Sequence, residues 1–240
     1  MPKQVSDAFE FRNFAESDIP DVMDTLDELS QTDPICRAIG IPSAELVPYW
    51  EQVLEAHTNQ PTLRLSTISR EIESGKLAAF SFHRVWYLYS DPAIFIDTSK
   101  LSAKANNIYN TNFFEFHPYE QKLLVGFCLY TKRKHRSSGL TKALIECNAR
   151  NINYGELKDY CLIFQKLSVK YGCTDESDPV NAVLLEKVLG YQTIETIDPV
   201  YGVHGEPLTL NGDGLQIMHR DIWDYEHAEG YLDHDELKNQ

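Results

Sequence analysis

The chain has 240 residues, 42% of them hydrophobic, and a formal net charge of -14. That length allows one large domain or two small ones, and that apolar content is enough to bury a core. The acidic balance argues against a broad basic face for nucleic acid, and no apolar run of about 18 residues offers a membrane span.

The opening MPKQVSDAFEF has no apolar signal region, so secretion is not expected. The five cysteines (Cys36, Cys128, Cys147, Cys161, Cys173) are odd in number and scattered, with no C-x-x-C pair. They read as reduced thiols of a cytoplasmic or nuclear protein, not as a disulfide frame or a zinc site. His135, His204 and His219 lack metal-ligand spacing, so no metal is expected.

Residues 9–14, FEFRNF, alternate aromatic and polar side chains and predict a half-buried strand. ESDIPDVMDTLDELSQ then reads as one helix capped by Ser17, with Ile19, Val22, Met23, Leu26 and Leu29 at helical spacing. A second helix is expected over 43–57, capped by Ser43. Residues 62–86 read as two strands joined at Glu73-Ser74-Gly75-Lys76. Residues 87–119 show little periodicity and are expected to be an insertion or loop. KLLVGFCLY (122–130) is a nearly continuous apolar run, as in a strand buried on both faces. Residues 139–155 read as a helix, and ELKDYCLIFQK (156–166) as a helix or a strand. LSVKYG (167–172) reads as a strand. Residues 178–191 predict a helix opened by an acid and Pro179 and closed by Gly190. QTIETI and LQIMHRDI are expected to be the last strands, before a loose acidic tail.

One stretch stands apart. KRKHRSSGLTKAL (132–144) gathers Lys132, Arg133, Lys134, His135 and Arg136 between a buried strand and a helix. The first backbone N–H groups of a helix have no partner within it, and the helix dipole adds positive charge there. Such a terminus binds phosphate, and Gly139 allows close backbone approach. The site would suit a pyrophosphate. It is neither a Walker loop nor a dinucleotide fingerprint, since both glycine patterns are missing.

Arg136-x-x-Gly139-x-Thr141 resembles motif A of the GNAT superfamily of acetyl-CoA-dependent N-acyltransferases, [QR]-x-x-G-x-[GA], with Thr141 in place of Gly or Ala. The order of the neighbouring segments is similar too: FRNFAESDIPDVMDTL for the first strand and helix, the Ser74-Gly75 hairpin, and NAVLLEKVLGYQTI for the helix and strand after the motif. QTDPICRAIG and the ending VHGEPLTLNGDGLQIMHRD are similar to the arylalkylamine N-acetyltransferase branch known from insects. The resemblance implies one α/β domain over 1–223, with a mixed, mostly antiparallel twisted sheet flanked by helices, and an acidic tail over 224–240.

It also implies a chemistry: direct transfer of an acetyl group from acetyl-CoA, as co-substrate, to a small primary amine, with no nucleic acid or membrane as partner. Backbone of Leu129, Tyr130 and Thr131 would pair with the pantetheine arm. Amides of Arg136, Ser137, Ser138, Gly139, Leu140 and Thr141 would hold the pyrophosphate, and Lys132, Arg133 or Lys142 the adenosine-side phosphate. Asp33, before Pro34, falls where the insect branch has its glutamate and is the candidate general base. The acid that protonates the thiolate is not carried over. The family's Tyr falls on Glu186 and its Asn on Pro179, the insect serines fall on Asp178 and Ala182, and Ser177 and Tyr191 are merely nearby hydroxyls.

Plainer readings exist for the same residues. The basic stretch could be a solvated face, Asp33 could cap a turn, and the aromatics of 107–119 could fill core instead of lining an aryl pocket. Three functions follow: an amine acetyltransferase, an acyl-CoA-binding module with little turnover, and a protein N-acetyltransferase.

Overall fold

Alternating side chains put Phe9–Asn13 into strand β1, which pairs antiparallel with β2 (Thr67–Glu71). A computed structural model describes Val5 and residues 7–58, 66–88, 98–108, 115–153, 171–198, 200–201, 204–208, 210 and 214–221. The hairpin at Gly75 leads from β2 into β3 (Leu77–Tyr87), and β3 pairs with β4 (Lys122–Thr131). β5 (Tyr171–Glu176) lies parallel to β4. Beyond it come β6 (Gln192–Ile197), a two-residue ladder of β7 (Val200–Tyr201) with β8 (Pro207–Leu208), and β9 (Leu215–Asp221). The sheet runs β1-β2-β3-β4-β5-β9-β6, and β4–β5 is its one parallel pairing among the described residues. A mixed, mostly antiparallel sheet is what the sequence led us to expect.

Helices cover both faces. On one lie α1 (Ile19–Met23), α2 (Leu26–Thr32), α3 (Pro34–Ile39) and α4 (Ser43–Thr58). Their apolar sides meet Phe80, Phe82 and Tyr130 around Trp50, which is 1% exposed. Burying a side chain of that size contributes about 2–3 kcal/mol. On the other face, α6 (Leu140–Asn153) packs Leu140, Ala143 and Leu144 on Ala78 and Ala79, and α7 (Pro179–Leu189) packs Ala182, Leu185 and Val188 on Ile145 and Met218. α7 has the expected ends: Asp178 Oδ1 accepts from Val180 N at 2.9 Å, and Gly190 closes it at φ 69°.

The structure departs from the sequence reading in several places. β5 runs on to Glu176 instead of ending at 172. α3 and the β7–β8 ladder were not expected, and two further segments differ in kind. The helix expected from Ser17 is broken. Ser17 lies within a 3-10 turn, and α1 and α2 are separated at Asp24-Thr25. The Thr25 hydroxyl donates to Val22 O at 2.7 Å, a local bond that competes with helical continuation. Within 87–119, the segment read as loop holds a 3-10 turn at Thr98–Lys100 and α5 (Ala103–Ile108), whose Ala105 is fully buried in the Trp50 cluster. The readings for 156–166, 167–170 and the acidic tail lie outside the described residues.

An ion-pair network ties β1, β2 and the start of α1 together. Asp18, with a side chain 1% exposed, accepts from Arg12 at 2.8 and 2.6 Å and from Arg70 at 2.6 Å. Burial pulls the Asp18 pKa up, but the bonds from Arg12, Arg70 and Ala15 N together hold it below its usual value.

Candidate functional site

β4 and β5 share only three ladder pairs, Leu124–Gly172, Val125–Cys173 and Gly126–Thr174, and then part. At the same level β4 carries a bulge: Phe82 faces Cys128 while His83 faces Gly126, which leaves Phe127 as the extra residue. A cavity of about 580 Å³ occupies the gap between the parted strands and reaches both helical layers.

One mouth is the basic turn. Lys132 N bonds back to Ala78 O at 2.9 Å, and the chain then passes through a 3-10 turn at Arg133–His135 into α6. The cations there do not act as one cluster. Lys134 Nζ and His135 Nε2 both reach Glu71 on β2 and, with Ser74, hold its carboxyl at about 2. Arg136 bridges two elements, donating from Nε to Thr131 O at 3.0 Å and from a guanidinium nitrogen to Thr32 Oγ1 at 2.9 Å. Lys132 and Arg133 have no ion pair among the described residues, and Lys142 lies 3.7 Å from Glu146. Ser137 at φ 66° and Gly139 at φ 84° turn the backbone into left-handed conformations at the helix start. The amides of Arg136, Ser138 and Leu140 are bonded within the turn, to Arg133 O, His135 O and Ser138 Oγ, which leaves those of Ser137, Gly139 and Thr141 at the helix start to meet a phosphate group. Thr141, the departure from the glycine-or-alanine pattern, has its hydroxyl 2.9 Å from that of Thr131 and so staples the strand end to the helix.

The other end is acidic and aromatic. Asp33 Oδ1 accepts from Cys36 N at 2.7 Å, capping α3. Its carboxyl faces the cavity, and burial, reinforced by the charge of Asp178, raises its pKa against that cap. Glu176 ends β5 and accepts from Asp178 N at 2.8 Å. Burial, with the charges of Asp178, Asp33 and Asp175, pushes it up to about 8. Cys128 lines the same cavity as Asp33 and Glu176: burial and then both carboxylates raise its pKa. Tyr49, Trp50, Trp86 and Phe127 form the apolar wall. Arg84, 6% exposed, lies under it, its guanidinium carbon 4.5 Å from the Trp86 ring centroid and 5.2 Å from that of Phe127.

No family model matches the chain, and no curated protein matches it in sequence. Solved structures do. An arylalkylamine N-acetyltransferase 2 from Aedes aegypti superposes with TM-score 0.58 at 16% identity, over 89% of this chain and 99% of that one. The C-terminal condensation domain of Ebony, solved with beta-alanyl-dopamine, gives 0.61 at 10% identity, over 89% and 98%. A polyamine N-acetyltransferase from Drosophila melanogaster that forms N-acetylagmatine gives 0.55 at 13% identity, over 88% and 97%. The chain has the GNAT fold.

Within the GNAT fold the residues singled out in the sequence fall into groups. Leu129, Tyr130, Thr131, Arg136, Ser137, Gly139, Thr141, Lys142 and Asp33 all line the one cavity. Lys132, Arg133 and Ser138 stand outside its wall, and the Leu140 side chain is core, leaving only its backbone for a ligand. Glu186 is exposed and accepts from Thr193, and Ala182 is core, so neither faces the cavity. Tyr191 packs against Arg220 and the α7 core. Of the aromatics in 107–119, Tyr119 is 95% exposed and Phe116 packs beside Leu123 and Ile217, so neither lines the pocket; Tyr109, Phe113 and Phe114 lie outside the described residues. The pocket aromatics, Arg84 and Glu176 were not singled out. Arg84 sits among apolar and aromatic strand residues and could have been noticed for that; Glu176, inside the acidic run TDESD, carried no signal.

Proposed function

We propose that the protein is an acetyl-CoA-dependent N-acetyltransferase of small primary amines, with arylalkylamines as the class its pocket fits. The observation that carries this reading is the single cavity with a phosphate-compatible helix start at one mouth and carboxylates beside an aromatic wall at the other. An acyl donor laid along Leu129, Tyr130 and Thr131 would bring its thioester near the bulge at Phe127. The amine would approach from the acidic end. An ammonium gains from Asp33 and Asp178 there, and an aryl group gains from Trp86 and Phe127.

Asp33 is the base in this reading. Its raised pKa brings it closer to that of the ammonium it must deprotonate, and the pull of neighbouring carboxylates keeps the amine in place. Acetyl-CoA supplies the activated acyl group, and the protein supplies orientation, a dry wall and a proton acceptor. The four free cysteines among the described residues accord with a reducing cytoplasm.

Calorimetry with acetyl-CoA, followed by CoA release with tyramine, dopamine, tryptamine and agmatine, tests this. Binding followed by turnover of an aryl amine supports it. Binding without turnover of any amine would return the chain to the acyl-CoA-binding module, and turnover of agmatine alone would shift the substrate class.

A further inference from the structure

Amine acetylation moves two protons. One leaves the attacking nitrogen, and another must reach the departing sulfur. Asp33 accounts for the first, and the motif positions that would supply the second hold Glu186, which faces solvent, Ala182, which is core, and Asp178, which lines the cavity but uses its carboxylate to cap α7 at Val180 N.

Glu176 is placed for that second role. It is the last residue of β5, beyond the point where β5 has left β4. Its carboxyl lines the same cavity as Asp33 and Cys128, and both carboxylates act on the Cys128 thiol. Cys128 follows the bulge at Phe127, on the stretch of β4 along which the acyl arm would lie. Glu176 therefore looks across the strand gap at the place the thioester would occupy. The bond to Asp178 N favours one oxygen as the proton carrier. Oε1 accepts that N–H at 2.8 Å, a role a carbonyl oxygen fills better than a hydroxyl. The acidic hydrogen is left to Oε2, which has no partner among the described residues.

We propose that Glu176 is the general acid that protonates the leaving sulfur, paired across the cavity with Asp33 as base; this rests on the acetyltransferase reading above. Asp33 takes a proton from the ammonium and releases it to solvent. The nitrogen lone pair then forms the C–N bond to the acetyl carbon. As the C–S bond breaks, its electron pair goes to sulfur, which takes the Glu176 proton. The nitrogen loses its second proton to Asp33, from which Glu176 is reprotonated. One ammonium and one thioester give one amide, one thiol and one free proton. Two carboxyls with different environments can divide acid and base work in this way. Burial and the surrounding charges keep Glu176 neutral, and so able to donate, up to about pH 8.

The test uses Glu176→Gln, whose amide oxygen can keep the Asp178 N–H bond while the acid is lost. With acetyl-CoA and the best amine of the panel, kcat should fall roughly 10²–10³-fold with acetyl-CoA affinity unchanged. With S-(4-nitrophenyl) thioacetate, whose thiolate leaves without a proton, the loss should stay below about tenfold, whereas Asp33→Asn should be slow with both donors. The wild-type kcat should also decline above about pH 8 as Glu176 ionises, and this limb should vanish in Glu176→Gln. Equal losses with both donors, or no loss, overturn the assignment while leaving the acetyltransferase reading intact. If Glu176→Gln does not fold, a wild-type profile without the alkaline limb overturns it. A wild type that binds acetyl-CoA yet turns over no amine overturns both.

Discussion

Asp33 holds two positions at once, as the N-cap of α3 and as a carboxyl in the cavity, and two substitutions separate them. Asn caps a helix about as well as Asp, so Asp33→Asn should keep the 2.7 Å contact with Cys36 N and change stability by less than about 0.5 kcal/mol. Asp33→Ala loses the cap and should cost about 1 kcal/mol. For a chain of this size that corresponds to roughly 2–4 °C in Tm. Activity lies on another scale. Losing a positioned base lowers turnover about 10²–10⁴-fold, or about 3–5 kcal/mol in the barrier. Asp33→Asn should therefore be nearly silent in a thermal melt and severe in CoA release, while Asp33→Ala fails in both. The sign of the pH effect sharpens this. A carboxyl whose pKa is raised by folding favours the protonated native state, so it weakens stability as pH rises from its usual range towards the raised value. Asn carries no such cost and should melt no earlier than wild type at pH 7–8. Circular dichroism melts, calorimetry with acetyl-CoA and steady-state CoA release with tyramine measure the three quantities. Turnover of Asp33→Asn within twofold of wild type would refute Asp33 as the base and leave it a cap alone.

Gly139→Glu puts a side chain and a negative charge where φ is 84° and where the phosphate would sit, so acetyl-CoA binding should fall at least tenfold in a folded variant; unchanged calorimetry would move the site elsewhere. Arg133 has no ion pair among the described residues, so Arg133→Glu should weaken CoA more than desphospho-CoA if it meets the 3′-phosphate, and wild-type affinity should drop as salt rises. Asp18→Ala removes a carboxylate from two partly exposed guanidiniums, of which Arg70 keeps Asp21 at 2.5 Å, and should cost about 1–3 kcal/mol in chemical denaturation, whereas a loss under about 0.5 kcal/mol would mean water replaces the carboxylate. With its usual pKa near 4.5 raised to about 8, Glu176 favours folding in its neutral form, so wild type should lose stability between those pH values. Glu176→Gln should then match wild type near pH 5 and melt higher near pH 9, and identical melting curves would contradict the raised value.

The strands and the end of α7 were legible because local chemistry alone determines them. FEFRNF alternates, KLLVGFCLY is apolar almost without interruption after Lys122, and Asp178-Pro179 and Gly190 are a start and a stop. The turn proposed to hold phosphate could be picked out for the same reason, since a helix start with glycine and cations is a contiguous feature. What escaped depends on contacts distant in sequence. Thr25 breaks a helix through a bond to Val22 O that periodicity does not register. Ala105 is drawn into a core built from α4, β3 and β4, which its own segment does not reveal. Asp33 and Glu176 are 143 positions apart in sequence, and only the parting of β4 from β5 sets them on one cavity. The basic run likewise reads as one patch, but Glu71 takes Lys134 and His135 out of it.

The extra residue at Phe127 has a consequence for what the strand can tolerate. Side chains along a strand change sides at every residue, so an odd insertion reverses the phase of all that follow. Before the bulge, Leu123, Val125 and Phe127 share a side; after it, Cys128 and Tyr130 continue on that side, with Phe127 and Cys128 consecutive. β4 is thus two half-strands written in opposite parity and joined at a dislocation. Deleting one residue at this joint would leave a regular ladder in which Tyr130 still meets Phe80 and Thr131 still reaches Thr141, whereas deleting one elsewhere in the strand would turn the side chains beyond it to the wrong face. The point of this strand most forgiving of a one-residue loss is therefore the bulge in its middle, where side-chain identity alone gives no sign of it.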